Sequence, residues 1–326
     1  MHVTTHVAVI IPAANAAGTI LDALASLDTQ QHVVEICVAC HDEPTRQVAE
    51  TFRPTNPHVT FTVIDNPSGT TPDALNACIA ATRAPIVARL DAHATFTDGY
   101  LARAVDVLQD DTIGNVGGVQ QARGTGKTGR AVAAAMASPA GSGGAAYRGA
   151  TTAKDVDTVY LGVFRRDALN AVGGFNPACV RNQDAELNIR LVKAGWRVRF
   201  DPALVATYRP RETVRAVARQ YHDYGRWRRF THQTTGVGYG PRQLAVPSAV
   251  VILMASIVVA LAMLNVAWLL PVGAYGATVL VAAAFAARNH ADTRMRDTSG
   301  IALVLCVMHL SWGSGFMRGA PKKATR

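Results

Sequence analysis

The stretch IVARLDAH, residues 86–93, decides the fold. Ile86–Leu90 is a run of strand length with β-branched members, and it ends on an aspartate, Asp91. Working back toward the N-terminus, Val7–Ile11, Val33–Ala39 and Val59–Ile64 read as further strands. Helical patterns over Ala17–Leu27 and Pro72–Ala81 separate them. Strands joined by helical crossovers predict an α/β fold, a mostly parallel sheet with helices on both faces. Ligands of such sheets bind at the carboxyl ends of the strands. Chemistry is therefore expected at Pro12–Asn15, His41–Glu43, Asp65–Pro67 and Asp91–His93.

Toward the C-terminus, Ala122–Gly149 is rich in Gly, Ala and Ser and reads as a long, mobile excursion. Strand and helix patterns resume at Val156–Phe164, Asp167–Val172, Asp184–Ala194 and Val198–Phe200. Thr213–Phe230 then reads as a basic, aromatic helix carrying Arg215, Arg219, Arg226, Arg228 and Arg229.

The 326 residues are 49% hydrophobic and only 17% charged, with a net charge of +9. A soluble domain has about 25% charged residues, so the chain is neither disordered nor an ordinary soluble protein. The apolar excess lies at the C-terminal end. No charged residue occurs from Leu244 to Ala287, enough for two helices of about 20 residues across a bilayer. A third apolar stretch runs over Ile301–Met317. Two domains are expected, a polar one over residues 1–230 and a membrane region over 231–326. Met1–Thr5 has no basic n-region, and nothing there reads as a signal peptide.

The positive-inside rule places the polar domain and the basic loop Arg288–Arg296 in the cytoplasm and the hinge near Asn265–Trp268 outside. A third full crossing would export the basic end Arg318–Arg326, against the same rule. The alternatives are a segment that stays in the interface or re-enters, or an exception to the rule.

Several chemistries are excluded. Cys37 and Cys40 form a CxxC, but no second pair completes a zinc site, and the five cysteines read as reduced thiols. No GxGxxG follows the first strand, and Gly126-Lys127-Thr128 has Gln121 where a P-loop needs glycine. The latter reads as a flexible basic loop. Nucleic acid is not an expected partner, because the positive charge clusters beside the apolar spans.

AVIIPAAN (8–15), NPSGTTPDALN (66–76), RLDAH (89–93), GGF (173–175) and NQDAE (182–186) occur here in one order. Together they resemble the family 2 glycosyltransferases of GT-A fold, most closely the succinoglycan-biosynthesis branch, which also ends in membrane helices. The resemblance implies a catalytic domain followed by transmembrane helices. Asp91 and His93, two apart in a turn after a strand, can both face one site. Where the family more often has DxD, the resemblance makes His93 the metal ligand and sets Asp91 beside ribose and metal. Imidazole is a softer ligand than carboxylate, so manganese is expected over magnesium.

Asp184 can equally be a plain helix N-cap by pattern; the resemblance makes it the base that deprotonates the acceptor hydroxyl. Gln183 stands where Glu is commoner, and Glu186 is expected to orient the acceptor or support Asp184. By resemblance Pro12, Ala13, Asn15 and Asp42 form the nucleotide pocket, although Ala16 replaces the usual glutamate. Arg89 either contacts phosphate or ribose, or pairs with Asp91. Gln220, Arg226 and Trp227 stand in for QxxRW with altered spacing, which argues for transfer of single sugars. Arg there would grip the diphosphate and Trp would stack on a sugar, or the helix lies on anionic lipid.

These readings converge on a membrane-bound, inverting, metal-dependent glycosyltransferase. It would use a UDP-sugar, with UDP-glucose as first candidate, on a lipid-linked saccharide at the cytoplasmic face of the cell membrane. The rivals are transfer to polyprenyl phosphate and a catalytically inactive sugar-nucleotide-binding scaffold.

Overall fold

A computed structural model describes residues 5–319, so most of the opening Met1–Thr5 and of the basic end Arg318–Arg326 lies outside the described residues. The chain packs as two compact units, one running up to Gln121 and resuming at Ala150–Tyr208, the other made of Ala122–Gly149 with everything from Arg209 onward.

The first unit is built on nine strands: β1 (Val7–Ala13), β2 (Val33–Cys40), β3 (Thr60–Asp65), β4 (Ile86–Arg89), β5 (Ala94–Phe96), β6 (Ile113–Ala122), β7 (Lys154–Asp155), β8 (Tyr160–Arg165) and β9 (Arg197–Tyr208). The sheet order is β3-β2-β1-β4-β8-β6-β9-β5, with β7 beside β9. β3, β2, β1 and β4 are parallel, as their crossovers require. β8 runs antiparallel to both β4 and β6, so the sheet is mixed, and the parallel character read from the sequence belongs to its first four strands.

The crossovers of the parallel half carry α1 (Ile20–Ala25), α2 (Glu43–Ala49) and α3 (Thr71–Ala81); α4 (Tyr100–Val107) follows β5. The strand interior is apolar on both faces: Val7, Val9 and Ile11 of β1 face one cluster that also holds Ile36, Val38, Leu90, Leu101 and Val163. Ala8 and Ile10 are equally buried on the other face. That two-sided burial is why β1, β2 and β4 read as continuous apolar runs.

The second unit is helical: α5 (Gly126–Ala137) and α6 (Pro139–Ser142), then, after α7 (Arg166–Ala171) and α8 (Gln183–Lys193) of the first unit, α9 (Val214–Thr235), α10 (Pro241–Met263), α11 (Leu270–Asn289) and α12 (Thr298–Arg318). Among the described residues three apolar stretches are long enough to cross a membrane: Gln243–Met263, Val266–Asn289 and Met295–Arg318, with mean hydropathies of 2.6, 1.8 and 1.6.

Three expectations change here. Ala122–Gly149 is not a mobile excursion: the alanines that made it look featureless are strong helix formers, and Ala131–Met136 are buried in α5. Gly126-Lys127-Thr128 opens that helix instead of lying in a loop, and β6 does lead into it. By packing, residues 122–149 and 209–230 group with the apolar helices, so the boundary expected at 230 is not where the compact units part.

Candidate active site

β4 delivers the site. Arg89, its last residue, is buried, and its guanidinium lies between two carboxylates. Nε donates to Asp91 Oδ1 at 2.8 Å, and Nη1 donates to Asp184 Oδ1 across 95 residues of sequence. Asp91 stands one residue past Leu90 at the carboxyl end of the parallel strands, where the sheet topology puts ligands. Asp184 is the second residue of α8. The alternative of a plain N-cap falls away, because Asn182 takes that position with φ +58° and Asp184 turns to Arg89. Arg89 thus pairs with Asp91 and with Asp184.

Both carboxylates keep roughly a third of their side-chain surface open, 29% for Asp91 and 33% for Asp184, while Arg89 keeps 6%. Burial pushes the Asp184 carboxyl up; the Arg89 charge and hydrogen bond pull it down and Asp91 pushes it up again, leaving it above its ordinary value. Burial opposes the Arg89 charge, but Asp184 and then Asp91 more than offset this and hold it protonated. Tyr160, the first residue of β8, belongs to the same cluster. Burial and then the nearby Asp91 charge push its phenol well above its ordinary value.

His93 lies in the turn between β4 and β5, and its Nδ1 shares a hydrogen bond with Thr19 Oγ1 at 2.9 Å. Thr19 is the N-cap of α1, so this contact ties the Asp91–His93 turn to the segment that follows β1. Among the described residues no group of three or more His, Cys, Asp and Glu could by itself hold a metal ion.

The ends of β1 and β2 are clamped together. Asp42 Oδ2 accepts from the Asn15 N–H at 2.6 Å, and Oδ1 accepts from Thr45 N and Thr45 Oγ1. Slight burial raises the Asp42 carboxyl, and these hydrogen bonds outweigh it and hold it below its ordinary value. Asp42 is thus the N-cap of α2 and the support of the loop that carries Pro12, Ala13 and Asn15. Ala16 is 1% exposed with its N–H on Thr45 Oγ1 at 2.9 Å, so this backbone leaves a longer side chain no open space at that position.

The GGF turn has a packing function. Gly173 and Gly174 are both left-handed (φ +74° and +71°), a conformation that favours glycine. Asn76, the last residue of NPSGTTPDALN, holds the turn by accepting from Phe175 N at 2.9 Å and donating to Phe175 O at 2.7 Å. A Cβ on Gly174 would lie 2.7 Å from Asn76 Oδ1. Two of the quoted motifs therefore lock each other.

Four expected site residues make structural contacts elsewhere. Glu186 is 3% exposed; its oxygens receive Arg190 at 2.7 and 2.9 Å and Asn176 Nδ2 at 3.3 Å. Arg190 in turn donates to the carbonyls of Val172 and Gly174. Glu186 thus anchors the GGF turn through Arg190 and Asn176. Glu186→Ala should accordingly lower stability by about 2–3 kcal/mol, since it strips a part-buried arginine of its partner. Thermal unfolding checks this, with the acceptor KM of the remaining folded enzyme unchanged.

Gln220, Arg226 and Trp227 belong to the helical unit. Gln220 donates to the Tyr224 hydroxyl at 2.9 Å, and Arg226 Nε donates to the Gly319 carbonyl at 2.9 Å. Trp227 is 8% exposed and packs edge-on to Phe230 at 5.1 Å. Arg226 and Arg229 of α9 cap the last carbonyls near the end of α12.

The residues not expected from sequence are Thr19, Asn76 and Arg190. Only Arg190 left a sequence signal, its i,i+4 spacing from Glu186.

The site is thus a pair of carboxylates gathered by one buried arginine at the ends of the parallel strands. The chain belongs to glycosyl transferase family 21, whose model matches residues 4–320. It is 30% identical over 278 residues to the succinoglycan biosynthesis protein ExoA of Rhizobium meliloti (strain 1021), covering 84% of this chain and 81% of that one. Among solved structures it resembles the mannosyltransferase PcManGT from Pyrobaculum calidifontis, solved with GDP-Man and Mn2+. That likeness has a TM-score of 0.56 at 21% identity and covers 94% and 87% of the two chains, which shows the shared GT-A fold. Both the fold and the resemblance read from the motifs are borne out.

Proposed function

We propose that this glycosyltransferase moves a sugar from a UDP-sugar to a lipid-linked saccharide with inversion at the anomeric carbon, and that residues 1–230 supply the catalytic machinery. The observation that carries this is the Arg89 bridge, which holds Asp91 and Asp184 together at the carboxyl end of β4. Asp184 accepts the proton of the acceptor hydroxyl. The oxygen then attacks the anomeric carbon from the side opposite the nucleotide, forming the glycosidic bond as the bond to the diphosphate breaks. A carboxylate with a raised pKa is a better proton acceptor, provided it is ionised.

The residues fit a divalent cation that is completed by the donor's phosphates. Asp91 uses only Oδ1 in its hydrogen bond to Arg89, and His93 has its ring oriented through Nδ1 by Thr19, as metal-binding imidazoles are through their second nitrogen. So small a protein donor set is what substrate-completed sites use. Such a cation, when bound, neutralises the charge developing on the departing diphosphate. The imidazole favours manganese over magnesium, in keeping with the Mn2+ named for the mannosyltransferase relative. Asp42 stabilises the β1 loop beneath the nucleotide. Membrane attachment through the apolar helices, with the catalytic unit on the cytoplasmic side, would keep the site within reach of a lipid-borne acceptor.

A donor screen tests the reading. Purified enzyme with Mn2+ is given UDP- and GDP-sugars and either membrane-extracted lipid-linked saccharide or polyprenyl phosphate. Nucleoside diphosphate release that requires a UDP-sugar and the saccharide acceptor supports it, and release with GDP-sugars or polyprenyl phosphate alone contradicts it. With the cognate pair, kcat should fall on the acid side with an apparent pKa above the ordinary carboxylate value of 3.8, because Asp184 must be ionised. A profile flat down to that value would remove Asp184 as the base.

A further inference from the structure

Between the start of α10 and the end of α12 lies an open cavity of about 370 Å³. Its walls include Leu244, Pro247, Val251 and Ile252 of α10 and Phe316 of α12, and the one charged side chain lining it is Arg229 of α9. Sites for small ligands occupy about 300–1,000 Å³, so the volume suffices. Leu244, Val251 and Ile252 are 43%, 52% and 56% exposed, which leaves the apolar wall open instead of sealed in a core.

Arg229 uses a single nitrogen to hold the fold. Nη1 donates to the Met317 carbonyl at 2.8 Å and to the Phe316 carbonyl at 3.4 Å, which fixes the guanidinium at the end of α12. Among the described residues Nε and Nη2 have no acceptor, and no carboxylate pairs with Arg226, Arg228 or Arg229. Two neighbouring N–H donors of one guanidinium match the spacing of two phosphate oxygens, and such charge-assisted pairs are the strong ones.

The sequence that builds this cavity holds no counter-charge. No Asp or Glu occurs from Tyr224 to Ala291 or from Thr298 to Arg326, whereas Arg226, Arg228, Arg229, Arg242 and Arg318 all fall in these stretches. The nearest acid along α9, Asp223, lies 4.0 Å from His222 Nδ1, and Asp297 accepts from the Arg294 N–H. The apolar wall is formed by the first turns of the candidate span Gln243–Met263. From Leu244 to Ile252 a helix rises by about 12 Å, enough to lead from headgroup depth into the acyl region. An apolar wall of that length beside a cation without a carboxylate fits a molecule with an anionic head and an alkyl chain.

We propose that this cavity binds one anionic glycerophospholipid, its phosphate on Arg229 Nε and Nη2 and one acyl chain along the α10 wall. The open wall favours a bilayer phospholipid over a lipid-linked sugar, because it admits whatever lipid surrounds α10, and the abundant species fills such a site by mass action. Bound there, the lipid touches α9, α10 and α12 together and so joins the three helices. The proposal is independent of the donor and acceptor chemistry.

The test titrates full-length protein, delipidated in a mild non-ionic detergent, with phosphatidylglycerol, phosphatidylcholine or polyprenyl phosphate, and counts bound lipid by native mass spectrometry. One phosphatidylglycerol per chain should bind about tenfold more tightly than phosphatidylcholine, the factor that about 1.4 kcal/mol represents. Arg229→Gln should abolish that preference. Val251→Trp should lower phosphatidylglycerol occupancy just as far, by filling the cavity while the Arg229 contacts with α12 stay in place. Equal binding of the two phospholipids overturns the proposal, as does an unchanged preference in either folded variant. Tighter binding of polyprenyl phosphate than of phosphatidylglycerol overturns it too, since the cavity would then belong to a lipid-borne acceptor. Should Arg229→Gln fail to fold, Val251→Trp decides alone, because Val251 is half exposed and its replacement leaves the core intact.

Discussion

Asp184→Asn should lower the transfer rate by about 10²- to 10⁴-fold, the usual contribution of a positioned general base. Donor binding should stay within about threefold of wild type, because Asp184 acts on the acceptor and not on the nucleotide. The substitution is nearly isosteric, and the amide oxygen it introduces can still accept from Arg89 Nη1, so the contact between α8 and β4 survives. The loss should therefore appear in kcat with cognate acceptor, while calorimetric titration of UDP with Mn2+ is unchanged. A variant that turned over at the wild-type rate would mean that Asp184 is only a partner of Arg89.

Arg89→Met should be the most damaging change to the fold of the site. It removes one buried cation and leaves two carboxylates facing each other, without the charge that now makes their proximity tolerable. Because the carboxylates remain about one-third exposed, the loss is smaller than for a fully buried triad, about 2–4 kcal/mol. It should be read as a lowered midpoint in thermal or denaturant unfolding of the detergent-solubilised protein. The sign of the pH dependence follows from Asp184. With the arginine gone, its pKa rises further, since the only groups left acting on it, burial and Asp91, both raise it. Protonation then relieves the repulsion, so the destabilisation should be largest above the raised pKa and shrink as pH falls through it. Loss of activity without any loss of stability would assign Arg89 to substrate rather than to the carboxylates.

The parallel half of the sheet was legible because β1, β2 and β4 are buried on both faces and so appear as apolar runs. β6 was not, because Gly117 and Gly118 near its middle interrupt the apolar pattern. The glycine is needed for close approach: a Cβ on Gly118 would lie 1.8 Å from the Leu204 carbonyl oxygen of β9. β5 is only three residues long, too short for any period to show.

At the site, Asp91, Asp184 and Arg89 were all singled out, but the sequence could not tell that one arginine joins the two acids across 95 residues. For Glu186 and Trp227 the sequence left the surroundings open for one reason. An acidic or aromatic residue beside a motif carries the same letter whether it faces substrate or core, and both of these face the core. The arginines of α9 are countable in the sequence, whereas the α12 carbonyls that Arg226 and Arg229 cap lie about ninety residues away.

Whether Asp91 and Asp184 act as one catalytic site is tested most directly by a double-mutant cycle on the transfer rate. The measurement compares kcat/KM of wild type, Asp91→Asn, Asp184→Asn and the double variant under saturating Mn2+. Groups sharing a partner and a substrate couple by about 0.5–3 kcal/mol, so the double variant should fall well short of the product of the two single losses. Losses that multiply to within about twofold would place the two carboxylates in separate roles and contradict the account.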